Sequence, residues 1–151
     1  MNLMNWLKVL ILTMVLVLAP TIGAAQIKKV SGKGKSQVRI LGTLTNRFKM
    51  VNKYVLVAKR LSDKELVKIA TKLHRAEPKT TFFFLDDAGK SAQMLKWIKD
   101  YAADKAAMTD PIFKWMTEHI VANLQEMTGG GRGKYWALSK GMWGDEIAEI
   151  K

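Results

Sequence analysis

Apolar residues fall into short runs separated by polar turns, and the spacing within each run predicts an element. The most apolar run in the second half is Thr80-Thr81-Phe82-Phe83-Phe84-Leu85, preceded by Pro78 and followed by Asp86-Asp87-Ala88-Gly89. Apolar residues at successive positions fit a strand covered on both faces, so this run is expected at the centre of a sheet. Two β-rich runs precede it. Val38 to Leu44 reads as a strand with Gly42 at a bulge or bend, and Tyr54 to Ala58 reads as a second. The chain turns between them, over Asn46 to Asn52.

The period then changes. Ser62-Asp63-Lys64-Glu65 is a capping box, with Leu61 and Leu66 at the positions of a hydrophobic staple. Leu66, Ile69, Ala70 and Leu73 follow at helical spacing, and Lys72, His74 and Arg75 suit the negative end of the helix dipole. Strand, helix and strand within about 30 residues make a βαβ unit, so the two strands should be parallel. A second helix is expected from about Asp87 to Ala102, with Asp87 as its cap and Met94, Leu95, Ile98 and Tyr101 as its stripe. A third starts at Asp110-Pro111, buries Phe113, Met116, Ile120, Leu124 and Met127, and ends at Gly129. Trp115 stands one step off that stripe and is expected to be partly exposed. Tyr135 to Leu138 reads as a last strand, and Gly144 to Lys151 as a short helix. The expected class is α/β (or α+β): a small mixed sheet of three or four strands with a βαβ unit and three helices.

Ahead of this pattern lies a different one. Val9 to Ala19 is continuously apolar apart from Thr13, Lys8 precedes it, and Pro20 with Gly23-Ala24-Ala25 follows. The run is short of the roughly 20 residues that span a bilayer, so residues 1–25 read as a secretory signal peptide cleaved near Ala25. The lysines just after it favour the rival, an uncleaved N-terminal membrane anchor. Residues 26–36, rich in Lys, Gly and Ser, should form a flexible basic arm, and residues 37–151 a single α/β domain. The expected address is periplasmic or extracellular.

Charge sharpens the division. The chain of 151 residues carries a formal net charge of +12. Ten basic residues and no acid lie between Gln26 and Arg60, whereas Leu61 to Lys151 holds 14 basic and 13 acidic residues. The asymmetry points to an anionic partner: membrane headgroups, acidic polysaccharide or nucleic acid. The residues expected to meet it are Lys28, Lys29, Lys33, Lys35, Arg39, Arg47, Lys49 and Lys53. A solvated tail and strand face is the plainer account of the same charges.

Candidate chemistry is sparse. Cysteine is absent, which excludes disulfides, thiolate catalysis and cysteine–metal sites. Gly32-Lys33-Gly34-Lys35-Ser36 and Gly129 to Lys134 lack the glycine spacing of a phosphate loop, so no nucleotide cofactor is expected. His74 and His119, the two histidines, have no acid or second histidine at ligand spacing, and no serine stands in a nucleophile-elbow context. Asp86 and Asp87 at a strand end are candidates to bind a cation, although Asp-Asp-Ala-Gly is also ordinary turn and cap chemistry. Trp97, Trp115, Trp136 and Trp143, with Tyr101 and Tyr135, enrich the C-terminal part in aromatics, suited to core packing or to a carbohydrate or peptide groove.

Several segments in order carry a resemblance: Tyr54-Val55-Leu56-Val57, Leu61 to Leu66, Phe84-Leu85-Asp86-Asp87, His119 to Met127, and Lys134 to Leu138. Over Tyr54 to Leu138 the chain resembles small uncharacterised bacterial proteins, often exported, with one compact βαβ-containing domain. The resemblance implies the element order and no activity. The expected function is an exported, non-enzymatic binding or interaction protein of the bacterial envelope. The alternative is a metal-dependent hydrolase acting on a phosphate- or sugar-containing substrate at Asp86 and Asp87.

Overall fold

The computed structural model describes residues 38–46, 49–129, 131 and 133–151. The signal-like segment and the basic arm lie outside these residues. The elements are β1 (Arg39–Thr45), β2 (Val51–Leu56), α1 (Asp63–Ala76), β3 (Thr80–Leu85), α2 (Ser91–Ala102), α3 (Pro111–His119), β4 (Ile120–Thr128), β5 (Lys134–Lys140) and β6 (Glu146–Ile150). The mixed α/β class stands, but the sheet has six strands rather than three or four, in the order β1-β2-β3-β4-β5-β6. No helix among the described residues is long and apolar enough to cross a membrane.

As the βαβ pattern requires, β2 and β3 are parallel neighbours, with Tyr54 opposite Phe83 and Val55 opposite Phe84. All other adjacent pairs are antiparallel. β3 is an interior strand, and its four apolar residues Phe82 to Leu85 are fully buried. Alternation sends them to two cores. Phe83 and Leu85 join Tyr54, Met94, Trp97, Ile98 and Met116 under α2 and α3. Phe82 and Phe84 join Val55, Leu66, Ala70, Leu124 and Leu138 under α1. Full burial of one such side chain contributes roughly 1.5–3 kcal/mol, so β3 supplies both cores at once.

α1 forms as its sequence directs. The Ser62 side chain accepts from the Glu65 amide, and Glu65 reaches back to the Ser62 amide at 2.9 Å. Its buried residues are Leu66, Ala70 and His74, while Ile69 and Leu73 are half-buried beside them. α2 starts later than expected, at Ser91, with no side-chain cap. Asp87 instead accepts from the Gly89 amide at 2.7 Å, closing a turn ahead of the helix. Pro111 opens α3 as expected. The Asp110 carboxylate does not cap that helix; it accepts from Trp97 Nε1 at 2.8 Å and from the Ala107 amide at 3.1 Å, tying α3 to α2.

Two stretches expected to be helical are strands. The stripe Met116, Ile120, Leu124 is spaced by four, which serves a helix and, as twice two, a strand equally well. α3 ends at His119; Ile120 still faces the core under α2 and α3, and beyond a register shift Ala122 and Leu124 face the core under α1. The β-branched pair Ile120-Val121 favours extension, and β4 fills the ladder between β3 and β5. At the C-terminus, Glu146 to Ile150 pairs with β5 and buries Ile150 toward α1. Gly42 sits at a register shift in β1, where an added Cβ would collide with the Leu95 side chain of α2. The bulge and the close helix approach account for this glycine together.

Candidate functional site

The connections after β2 and β3 leave on opposite faces of the sheet: α1 packs on one core, and α2 with α3 on the other. Where neighbouring parallel strands diverge in this way, their carboxyl ends border a crevice, the usual place for a ligand in an open α/β sheet. The Val57 amide still donates to the Leu85 carbonyl at 2.8 Å, so the strands stay zipped up to this point. Beyond it come Lys59 from the loop after β2, and Asp86 and Asp87 from the loop after β3. His119 arrives where α3 passes into β4.

Asp86 and His119 are held together twice. The Asp86 amide donates to the His119 carbonyl at 3.1 Å, and His119 Nδ1 lies 2.9 Å from Asp86 Oδ1. Where the carboxylate is the acceptor, Nδ1 carries the proton of this bond, and in the neutral tautomer of the ring Nε2 is then the acceptor. The Trp115 ring, one turn earlier on α3, packs on the imidazole at 4.9 Å. Trp115 is therefore buried rather than partly exposed, because α3 turns that side toward β3 and the core. Both members of the Asp86–His119 pair remain about a quarter exposed, at 25% and 26%.

Asp87 has a different environment. The Gly89 amide holds its carboxyl below the usual carboxylate range, and the nearby Lys59 charge acts in the same direction. The loop carrying Lys59 turns through Arg60 at φ 61°, a left-handed conformation that costs a non-glycine residue about 1–2 kcal/mol. The crevice thus combines an oriented imidazole, two carboxylates and a cation. An imidazole fixed by a carboxylate on one nitrogen and open on the other can accept a proton from a bound molecule. Among the described residues, no group of three or more His, Cys, Asp and Glu side chains could hold a metal ion. No family model matches the chain, and neither a curated protein nor a solved structure is significantly similar to it.

The basic residues are placed less compactly. Lys28, Lys29, Lys33, Lys35 and Arg47 lie outside the described residues. Arg39 is exposed on the edge strand β1, opposite Leu56, and Lys49 is exposed at the other end of the β1–β2 hairpin. Lys53, between them on β2, bonds to Glu77 at 2.5 Å, so its charge is largely compensated. Exposed apolar side chains accompany the two free cations: Val38 and Ile40 flank Arg39, and Met50 follows Lys49. His119 is the site residue that sequence reasoning missed. Its partner is 33 residues away, and no local spacing carries the contact.

Proposed function

We propose that the chain is an exported, non-enzymatic binding protein of the bacterial envelope, engaging an anionic surface or polymer through its basic N-terminal third. One observation carries the reading: ten positive charges without an acid from Gln26 to Arg60, ahead of a body that is nearly neutral. Screening limits exposed charges to about 8–10 Å at physiological salt, so the neutral body cannot cancel the field of that third. Arg39 and Lys49 add exposed cations beside Val38, Ile40 and Met50, a combination suited to the headgroup boundary of an anionic membrane. Lys53 contributes little while Glu77 neutralises it.

Export follows from the signal-like segment, with cleavage near Ala25, and N-terminal sequencing of the native product tests it. Binding is tested by retention on anionic liposomes, acidic polysaccharide and heparin-like resin across a salt series. Each lysine near an anionic membrane contributes about 1 kcal/mol. Replacing Lys28, Lys29, Lys33 and Lys35 by Gln should therefore abolish most retention and leave the melting temperature unchanged. Retention that survives this change, or that persists in about 1 M salt where screening falls to about 3 Å, refutes the proposal.

The Asp86–His119 contact favours a second reading: hydrolysis of a phosphate- or sugar-containing substrate in the crevice. His119 would serve as base, and Asp86 and Asp87 would orient it and hold a cation. Hydrolysis of generic phosphoesters and glycosides, lost with chelator and in Asp86→Asn, would decide for this reading; no turnover with either substrate class would set it aside.

A further inference from the structure

A cavity lies in the core under α2 and α3. Its walls include Tyr54, Trp97, Tyr101, Phe113, Met142 and Trp143, and no charged side chain lines it. Its free volume is about 30 Å³, room for a water or two, so the space is narrow.

Three features mark this cleft as built rather than left over. Tyr54 is 3% exposed, stacks on Phe83 and stands in the wall of the cleft. Burial pushes its hydroxyl well above the usual tyrosine range, so it stays protonated and able to donate. A tyrosine in an otherwise apolar wall offers an entering molecule one polar handle. The rim is the second feature. Trp143 is 44% exposed and packs against Phe113 at 5.8 Å, extending a row of rings through Trp97 to Tyr101. The turn that presents it is the third. Gly141 has φ +57°, and a Cβ on Gly144 would meet the Lys140 carbonyl at 2.5 Å. Buried Asn123 then grips the Gly141 and Met142 carbonyls at 2.9 and 3.2 Å. Met142 is thereby fixed in the wall and Trp143 at the mouth.

We propose that this cleft binds a small, neutral aromatic molecule carrying an oxygen acceptor. The ring slides between Trp143 and the aromatic wall, and the oxygen accepts from the Tyr54 hydroxyl. Neutrality follows from the uncharged lining, since an ion would be desolvated there without a partner. Preference for a ring follows from the tilted and stacked aromatic pairs that already form the wall. A cavity that binds benzene has about 150 Å³ of volume, so Trp143 and the flexible Met108 and Met116 must move outward to admit the ligand. The inference is independent of the anionic-partner reading, because none of the basic side chains invoked there lines the cleft.

The test titrates the full chain with acetophenone, a neutral aromatic ketone, and follows the indole signals of Trp97 and Trp143 by NMR. Benzoate, of similar shape but charged, is the comparison. Saturable shifts are expected with a Kd on the order of 1 mM for so small a ligand. Tyr54→Phe keeps the ring and the stacking, and should weaken acetophenone about five- to tenfold. Trp143→Ala, at an exposed position, should weaken it about tenfold or more with the melting temperature unchanged. The proposal is overturned by an absence of saturation up to about 10 mM, by benzoate binding equally well, or by unaltered affinity in both folded variants.

Discussion

Replacing Asn123 tests how the sheet controls the turn between β5 and β6. Asn123 is 1% exposed on β4, among the largest fully buried side chains. Its Nδ2 donates to the carbonyls of Gly141 and Met142, while its Oδ1 is buried without a partner. In Asn123→Ala both donations are lost, at about 1 kcal/mol each, and two carbonyls are left without that donor. The void left by the amide adds about 1 kcal/mol, and removal of the orphaned oxygen returns about 1 kcal/mol. The net destabilisation is about 2 kcal/mol. The turn keeps its bond from the Gly141 amide to the Val121 carbonyl, so the domain should still fold.

Two companion variants separate hydrogen bonding from volume. Asn123→Leu fills the space and removes the orphaned oxygen, so it should cost less than Ala, about 1 kcal/mol. Asn123→Asp retains the volume but sets a carboxylate against two carbonyls with no donor in reach, and should cost more than about 3 kcal/mol. Urea denaturation reads these differences. With a slope of about 1–3 kcal/mol per molar, the Ala midpoint should fall by about 1 M. A change below about 0.5 kcal/mol in Asn123→Ala, or an Asp variant no worse than Ala, would refute the assignment of Asn123 as the clamp of the turn.

Ser62→Ala removes half of the capping box and should cost about 1 kcal/mol in the same urea assay. His74 is 8% exposed with Nδ1 unpartnered, and burial lowers its pKa below the ordinary value. The unfolded chain therefore takes up its proton first. Stability is full above about pH 6.5 and falls as pH drops through the lowered folded value; His74→Gln should flatten that part of the pH–stability curve. Asp86→Asn should change stability by less than about 1 kcal/mol, because the pair is a quarter exposed, yet should shift the His119 ring signals in NMR.

The sequence disclosed most where short-range physics decides. The cap of α1 rests on residues three apart, and the parallel β2–β3 pair on a helical crossover of the length such a pair needs. The interior place of β3 follows from four consecutive apolar residues. It failed where two periods coincide. Apolar residues four apart satisfy a helix and a strand alike, so the pattern of α3 runs on through residues that form β4. The tail was misread for a related reason: five residues hold too little pattern to declare themselves, and the free edge of β5 settles the matter by pairing with them. Together these two errors account for the sheet having six strands.

The misplaced end of α3 also hid the crevice. Asp86 and Asp87 were legible as residues at the carboxyl end of a strand, the right place for a site. His119 was not, since in a helix continuing past Ile120 it would be one more surface residue with nothing to orient it. Ending the helix at His119 turns its carbonyl outward to receive the Asp86 amide, and the same step starts the strand that pairs with β3. The Asp86–His119 pair is thus a product of the helix-to-strand junction rather than of any motif. A substitution that moves the junction, such as a strong helix former at Val121, should loosen the pair without touching either residue, whereas one that preserves it should leave the imidazole oriented.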